Sequence, residues 1–195
     1  CTPVSFDPKY LEIIPKEVIE KDYGCGDPTK WVKLNDTVLD LGSGSGKNAF
    51  ICAQIVGKEG KVIGVDQNPD MLNLSRDSIK AFSRKLGFQN VEFIKGSIEK
   101  LDELDKNKEP IIQTSSIDII LSNCVLNLVN PKSRNNLLAN IKRVLKDSGR
   151  ISISDIVSNK KVPIRLQKDP DLWSGCISGA WYEPELLSDF KNLGF

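Results

Sequence analysis

The run Thr37-Val38-Leu39-Asp40-Leu41-Gly42-Ser43-Gly44-Ser45-Gly46 decides the fold of this chain. Its first half is apolar and ends in glycines, which predicts a buried strand over residues 37–41. The glycines let the backbone turn tightly and approach a ligand closely. Residues 47–56 follow as a predicted helix, which Gly57 and Gly60 end. A strand, a glycine turn and the free N–H groups of a helix start predict a ligand site at this junction.

Outward from this run, short apolar strands alternate with longer helical patterns. Further strands are predicted at 61–66, 91–94, 117–121 and 151–156, the last after a turn at Asp147-Ser148-Gly149. Helices are predicted from Pro69 to Leu86 and from Pro131 to Leu145, with helical segments at 8–23 and 183–192. Residues 157–182 show no clear period and are predicted to form a loop over the site. This alternation predicts an α/β fold with a doubly wound, mostly parallel sheet covered on both faces.

Length and composition describe one ordinary globular domain of 195 residues, 39% hydrophobic and 27% charged. The 27 basic and 26 acidic side chains nearly balance, which disfavours nucleic acid as a partner. No run approaches the roughly 20 apolar residues that span a bilayer, so no membrane partner is expected. Neither an initiator methionine nor a signal peptide opens the chain, so we interpret the chain as a fragment. We expect the protein to be a monomer.

The use of histidine and cysteine limits the chemistry that this chain can perform. It contains no histidine, which excludes Ser-His and Cys-His nucleophile pairs and imidazole metal sites. Its five cysteines are an odd number without CxxC pairs, which favours free thiols in a reducing cytoplasm. Any chemistry therefore depends on thiols, carboxylates, hydroxyls or a bound cofactor.

The spacing of the glycine turn indicates which cofactor it serves. The dinucleotide fingerprint has glycines at positions one, three and six. Here Gly42, Gly44 and Gly46 stand at one, three and five, and Asp40 precedes them by two residues. This is the usual methyltransferase form, in which the turn holds the methionine end of S-adenosyl-L-methionine. Asp66 ends the second predicted strand, where an acid accepts both ribose hydroxyls. The alternative cofactor is a nicotinamide dinucleotide. Taken by themselves, the three glycines could also form a flexible loop without a ligand.

Further cofactor contacts are predicted beside this turn. Gln67 adjoins Asp66, and Met71 is placed to pack on the adenine. Asn123 follows the fourth predicted strand, at the sheet edge where open α/β folds bind ligands. The adenine edge is assigned to three residues after the third strand: Ser97, Ile98 and Glu99. Packing at the sheet edge is the alternative for the segments around 97–99 and 123.

With these residues in place, the chain resembles the arsenite methyltransferases, a family of class I, Rossmann-like enzymes. The more specific matches are Tyr23-Gly24-Cys25-Gly26, Ser122-Asn123-Cys124-Val125 and Trp173 to Ala180. The resemblance implies a cover segment over residues 1–35 with Tyr23 at the cofactor, a cofactor-binding core over 36–156, and a substrate-side loop and helix over 157–195. The sheet of class I methyltransferases normally has seven strands, and in the arsenite methyltransferases a C-terminal domain follows. We expect this chain to be truncated after the fifth strand and a following helix, without that domain.

The resemblance also implies a role for cysteines, because family members hold trivalent arsenic through converging thiols. By position, Cys25 and Cys176 match these arsenic(III) ligands, and Cys1 is a weaker match to a third. Thiolates are soft ligands and suit such thiophilic ions. Cys52 is interpreted as core packing, and so is Cys124, with lining of the cofactor pocket as its alternative. A structural zinc site with four cysteine ligands is possible on the number of cysteines, but this chain lacks the closely spaced cysteine pairs that such sites usually have.

The sequence therefore predicts methyl transfer from S-adenosyl-L-methionine to arsenite, free or as a thiol conjugate, with a thiol reductant as partner. Arsenic bound to sulfur keeps a lone pair that attacks the methyl group, so no proton has to be removed. One alternative is methylation of a quinone or another small organic acceptor, with Asp155 or Glu183 as general base. The other is a metalloid-binding thiol module without enzymatic activity.

Overall fold

Five parallel strands form the centre of the computed structural model, which describes residues 6–195. They are β1 (Thr37–Leu41), β2 (Lys61–Asp66), β3 (Val91–Lys95), β4 (Ile117–Asn123) and β5 (Leu145–Ser154). Their order is β3-β2-β1-β4-β5, and each pairing is parallel. The order of connection reverses between β1 and β4, so a crevice opens at the carboxyl ends of these strands, where such sheets bind ligands.

The inner residues of the central strands are mostly apolar, and they are buried on both faces of the sheet. Alternate residues of β1 point to opposite sides: Val38 joins the apolar layer around Phe50 and Phe82, and Leu39 joins the layer around Ile141. All five of these side chains are fully buried. Burial of both faces explains why the strands read as continuous apolar runs rather than as alternating ones.

Eight helices surround the sheet in residues 6–195. They are α1 (Pro8–Leu11), α2 (Lys16–Glu20), α3 (Lys47–Val56), α4 (Pro69–Leu86), α5 (Arg134–Val144), α6 (Ile164–Gln167), α7 (Pro170–Ser174) and α8 (Glu183–Asn192). The start of α4 is capped by Asn68, whose side chain accepts from the backbone N–H of Asp70. The predicted helices at 47–56 and 183–192 and the one that begins at Pro69 are confirmed. Within the described range, no helix is both long and apolar enough to cross a membrane.

Three helical or loop predictions differ from the structure. The segment 8–23 is broken into α1 and α2, because Pro15 precedes α2 and has no N–H to continue a helix. The helix predicted from Pro131 opens with a 3-10 turn and becomes α-helical only at Arg134. The segment 157–182, predicted as a loop, contains α6, α7 and two short parallel strands, β6 (Val157–Ser158) and β7 (Trp181–Tyr182).

The fifth strand begins earlier than predicted and ends earlier. A turn was expected at Asp147-Ser148-Gly149 and a strand at 151–156, but β5 runs from Leu145 to Ser154. The register between β4 and β5 shifts between Ile117 and Ile119, so the expected turn is absorbed as an irregularity within the strand. Asp155 has left the ladder, and its carboxylate bonds to the segment after β4.

Candidate functional site

A cleft of about 450 Å³ opens at the carboxyl ends of the central strands. The turn after β1, the end of β2, the turn after β3 and the residues after β4 form its walls. Ten predicted cofactor residues line it: Tyr23, Gly42, Gly44, Asp66, Gln67, Met71, Ser97, Ile98, Glu99 and Asn123. The topology thus brings together residues from distant parts of the sequence, and their contacts with a cofactor remain predictions.

The glycine turn presents bare backbone to this cleft. Gly42, Gly44 and Gly46 have φ angles of 66°, 52° and 94°, which residues with a side chain rarely adopt. A Cβ on Gly42 would lie 2.5 Å from Cγ1 of Val125, whereas a Cβ on Gly44 would meet no atom within 4 Å. The turn is therefore packed on its inner side at Gly42 and open on its cleft side at Gly44.

Asp66 is held in a defined orientation at the end of β2. Its Oδ2 accepts a hydrogen bond of 2.8 Å from the N–H of Gly44, and its Oδ1 accepts one of 2.8 Å from the N–H of Asn68. Each carboxylate oxygen has further acceptor capacity after these two bonds. A partly buried, oriented carboxylate beside the glycine turn suits a pair of ligand hydroxyls.

Two of the predicted cofactor residues, Asp40 and Gly46, lie outside the cleft lining. Gly46 lies against Phe93, whose ring would be 2.7 Å from an added Cβ. Asp40 is 1% exposed beneath the turn, and no described residue donates to its Oδ2. Burial, reinforced by the negative charges of Asp66 and Asp22, raises the pKa of Asp40 to about 8. Asp40 therefore lies under the glycine turn as a largely protonated carboxyl group at neutral pH.

The turn after β3 is joined to the same edge. The N–H of Gly96 donates to the carbonyl of Asp66 over 3.0 Å. The hydroxyl of Ser97 accepts from the N–H of Glu99 over 3.3 Å and lies 3.2 Å from its Oε2. These contacts hold the 96–99 turn beside the end of β2, where it lines the cleft; its role at the adenine edge stays a prediction.

Helix α2 and the residues that follow it, of which 21–24 line the cleft, pack against the glycine turn and α3. The hydroxyl of Ser45 donates to the carbonyl of Val18 over 2.7 Å, and Lys47 forms an ion pair with Asp22. Both charged side chains of that pair are largely buried, at 10% and 19% exposure. Tyr23, which follows, is 79% exposed although it borders the cleft. The cover is thus anchored to the glycine turn and the start of α3.

Three cysteines converge beside the cleft. Cys25 and Cys124 are joined as a disulfide, with Cα atoms 5.9 Å apart. The thiol of Cys176 donates to the carbonyl of Cys124 over 3.4 Å. Cys25 and Cys176 were predicted together, and the structure brings both to one place. Cys52 is fully buried in α3, as predicted, and Cys1 lies outside the described residues.

Two predictions about the cysteines are wrong. Cys124 was interpreted as core packing, with lining of the cofactor pocket as the alternative; it lines the cleft and contacts both Cys25 and Cys176. Free thiols were also expected, whereas Cys25 and Cys124 are paired. The position of Cys124 directly after β4 was the available signal, because this is a ligand-binding edge. Cys124 and Cys176 also share positive φ angles of 56° and 60°, and such strained backbone often marks functional sites.

The remaining side chains near the thiols limit what chemistry the site can do. Asp155 accepts from the N–H groups of Leu126 and Ile156 and from the amide of Asn127. Burial raises the pKa of Asp155, and these three donors hold its carboxylate in a fixed orientation against the segment after β4. Glu183 begins α8 and is exposed. Among the described residues, no group of three or more histidine, cysteine, aspartate or glutamate side chains is arranged to hold a metal ion. With Cys25 and Cys124 bonded to each other, this finding describes the oxidised site.

Comparison with known proteins points to one class. A family model described as a methyltransferase domain matches residues 32–192. The arsenite methyltransferase of Mus musculus is 36% identical over 187 residues, which are 95% of this chain and 48% of that protein. That of Halobacterium salinarum is 38% identical over 174 residues, 88% of this chain and 41% of that protein. The crystal structure of an arsenic(III) S-adenosylmethionine methyltransferase from Chlamydomonas reinhardtii superimposes with a TM-score of 0.85 at 35% identity, covering 96% of this chain and 60% of that one.

The chain belongs to the methyltransferase domain family. Its resemblance to the arsenite methyltransferases, drawn from the sequence, is confirmed by these relatives and by the solved structure. The predicted fold class and enzyme class are confirmed as well, and S-adenosyl-L-methionine is the methyl donor of that class. The chain spans about half the length of the curated relatives that it matches.

Proposed function

We propose that this chain binds S-adenosyl-L-methionine and trivalent arsenic side by side and transfers a methyl group to the arsenic. The observation that carries the proposal is the convergence of Cys25, Cys124 and Cys176 at the edge of the cleft. Three sulfur atoms suit a soft, thiophilic ion better than a quinone or another organic acceptor.

The residues around the cleft fit the methyl donor. The open side of Gly44 leaves room for the methionine end, and the oriented carboxylate of Asp66 suits the ribose hydroxyls. The turn at 96–99 would hold the adenine. When bound, S-adenosyl-L-methionine supplies an electrophilic methyl group on a positively charged sulfur. The contribution of this chain is to orient that group and to keep water away from it.

Arsenic binding requires the reduced form of the thiols. Two molecules of a thiol reductant would convert the disulfide between Cys25 and Cys124 into two thiols and would themselves leave as one disulfide. Arsenite, As(OH)₃, then exchanges its three hydroxyl groups for three sulfurs and releases three molecules of water. Cys25, Cys124 and Cys176 are the proposed ligands. Cys1, which the sequence placed in the same set, is not needed for three-coordinate arsenic.

Methyl transfer at this site needs no general base. The lone pair on thiolate-bound arsenic forms the new bond to carbon, while the carbon–sulfur bond breaks and its electron pair stays with the departing sulfur. No proton is lost in this step, which agrees with a chain that has no histidine. Asp155 is bound to the backbone and to Asn127 by three hydrogen bonds, so this proposal gives it a structural role. The work of the protein is to hold arsenic and methyl group at about 3–3.5 Å and in line.

The three parts of the chain have separate roles in this proposal. In the described part of the amino-terminal segment, residues 6–35, residues 21–24 border the cleft and Cys25 contributes a thiol. Residues 36–156 bind the cofactor and carry Cys124. Residues 157–195 bring Cys176 to the site from the substrate side.

Protection mapping tests this assignment. The reduced protein is incubated with arsenite, alkylated in the folded state, and analysed by mass spectrometry at each cysteine. Arsenite should protect Cys25, Cys124 and Cys176 together, and protection should be complete at one arsenic per chain. Cys52 should react only after unfolding, with or without arsenite, because it is fully buried. Protection of none of the three thiols would contradict the proposal and favour a small organic acceptor.

A further inference from the structure

Cys124 stands between two buried asparagines that hold the other two cysteine loops. Asn123 is 8% exposed and Asn127 is 1% exposed, so neither amide is free in solvent. Both Cys25 and Cys176 lie outside helices and strands. The hydrogen bonds of helices and strands therefore do not position these two sulfurs, and other contacts have to fix the two loops.

Asn123 holds the loop that carries Cys25. Its Oδ1 accepts a hydrogen bond of 2.8 Å from the N–H of Cys25, and its Nδ2 donates over 3.0 Å to the carbonyl of Gly26. The loop comes so close that a Cβ on Gly24 would lie 2.4 Å from that Nδ2. One amide thus brackets the cysteine with a donor and an acceptor, which an ionised aspartate cannot do.

Asn127 holds the loop that carries Cys176. Its Oδ1 accepts from the N–H of Trp181 over 3.1 Å, and its Nδ2 lies 3.4 Å from the carbonyl of Cys176. The same Nδ2 donates to Oδ1 of Asp155 over 2.8 Å and to the carbonyl of Ile156 over 2.6 Å. The loop packs directly on this residue, since a Cβ on Gly179 would lie 1.8 Å from the carbonyl oxygen of Asn127.

We propose that Asn123 and Asn127 are the positioning residues of the thiol site, and that each holds one cysteine loop against Cys124. This inference rests on the proposed function for its arsenic part only. Residues 25 and 124 are separated by 99 positions, and 124 and 176 by 52. Fixing such distant loops before the substrate arrives lowers the entropy cost of bringing three sulfurs to one arsenic atom.

The equilibrium between dithiol and disulfide at Cys25 and Cys124 tests Asn123 without arsenic. Oxidised glutathione joins the two thiols and releases two molecules of reduced glutathione, so the equilibrium measures how closely the thiols are held. Asn123→Ala should shift it toward the dithiol by about tenfold, because two hydrogen bonds to the Cys25 loop are lost. Asn123→Asp keeps the acceptor for the N–H of Cys25, so its dithiol–disulfide equilibrium should lie between those of the wild type and Asn123→Ala. Asn127→Ala should leave it unchanged, because its bonds lead to the other loop.

Arsenite binding to the reduced protein, measured by calorimetry, tests both residues. Asn123→Ala and Asn127→Ala should each weaken it by about tenfold or more. Asn127→Ala should also speed alkylation of Cys176. The matched control is Asn90→Ala, since the Nδ2 of Asn90 also donates two bonds, to Ala53 over 2.9 Å and Gly57 over 2.8 Å. Asn90→Ala should lower the thermal midpoint of unfolding but should change neither the dithiol–disulfide equilibrium nor the affinity for arsenite.

The outcomes separate this inference from the proposed function. An unchanged disulfide equilibrium in Asn123→Ala would overturn the role of Asn123, and unchanged arsenite affinity in Asn127→Ala would overturn that of Asn127. Loss of S-adenosyl-L-methionine affinity in Asn123→Ala without a disulfide shift would make Asn123 a cofactor ligand instead. If the wild-type protein binds no arsenite, the proposed function fails, and the disulfide equilibrium alone decides the role of Asn123.

Discussion

The thiol of Cys176 lies 3.4 Å from the carbonyl oxygen of Cys124, although 52 positions separate these residues in the chain. Cys124 also meets Cys25, so the end of β4 is the point where the amino-terminal cover and the substrate-side loop come together. This edge of the sheet is also a wall of the cofactor cleft. The thiol site and the cofactor cleft are therefore neighbours, because the end of β4 contributes residues to both.

Replacing Cys124 by serine should abolish tight arsenite binding. The variant retains Cys25 and Cys176 but removes the sulfur that pairs with Cys25, and a hydroxyl is a poor ligand for a soft ion. Calorimetry on the reduced protein should show a loss of roughly a hundredfold or more, because losing a ligand costs more than the roughly ten- to hundredfold typical of outer-shell changes. Cys52→Ser is the control and should bind arsenite as the wild type does. Tight binding by Cys124→Ser would mean that arsenic does not need this thiol.

Removing the carboxylate of Asp66 should weaken S-adenosyl-L-methionine binding. Asp66→Ala should cost at least roughly tenfold in affinity, because two ribose hydroxyls would lose their acceptor. Asp70→Ala removes an exposed acid from the first turn of α4 and controls for the change in net charge. Equal affinity in Asp66→Ala and wild type would show that the ribose does not bind there. Tighter binding of a nicotinamide dinucleotide by the wild type would support the alternative cofactor.

Asp40 should make the folded protein less stable as the pH rises. Its pKa is about 8 in the folded protein against an ordinary value of 3.8, so the folded state keeps a proton that the unfolded chain has lost. The free energy of unfolding should therefore fall between pH 4 and pH 8 and level off above that. Asp40→Asn does not titrate, so its thermal midpoint should exceed that of the wild type most clearly at pH 8.

The control for Asp40 is Asp77→Asn, which removes an exposed carboxylate on α4. It should follow the pH dependence of the wild type. An equal loss of stability between pH 5 and pH 8 in Asp40→Asn and wild type would show that Asp40 is already ionised under the glycine turn.

Cys176 should react slowly with alkylating reagents at neutral pH. Burial, and then the negative charge of Asp155, raises the pKa of this thiol above its ordinary 9.0. In the reduced protein, its alkylation rate should therefore be lower than that of glutathione at pH 7.5 and should rise through pH 9 and beyond. Cys52 should stay unreactive over this range, since burial raises its pKa still further. Fast, pH-independent reaction of Cys176 near neutral pH would contradict this electrostatic environment.

Local patterns in the sequence predicted the parts of the structure that local interactions determine. The strand at 37–41, its glycine turn and the helix at 47–56 are confirmed to the residue, because apolar periodicity and glycine positions specify them. The irregular start of β5 was missed because Gly149 reads as a turn until the pairing with β4 is known.

The thiol site was predicted only in part, for a similar reason. Cys25 and Cys176 were found through the resemblance, but Cys124 was not, because its role depends on contacts across 99 and 52 positions. The amides of Asn123 and Asn127, which hold those contacts, look like ordinary polar residues in the sequence. Asp40 was likewise assigned to the cofactor, and only the fold places it under the turn.

Methyl transfer itself is the most direct test of the proposed function. The reduced protein is incubated with S-adenosyl-L-methionine labelled in its methyl group, arsenite and a thiol, and the arsenic species are separated chromatographically. If the proposed function is correct, labelled methylarsenic forms with one S-adenosylhomocysteine for each methyl group added, and none forms with the Cys124→Ser protein. Transfer of the label to a quinone or another organic acceptor, with arsenic left unmethylated, would contradict it.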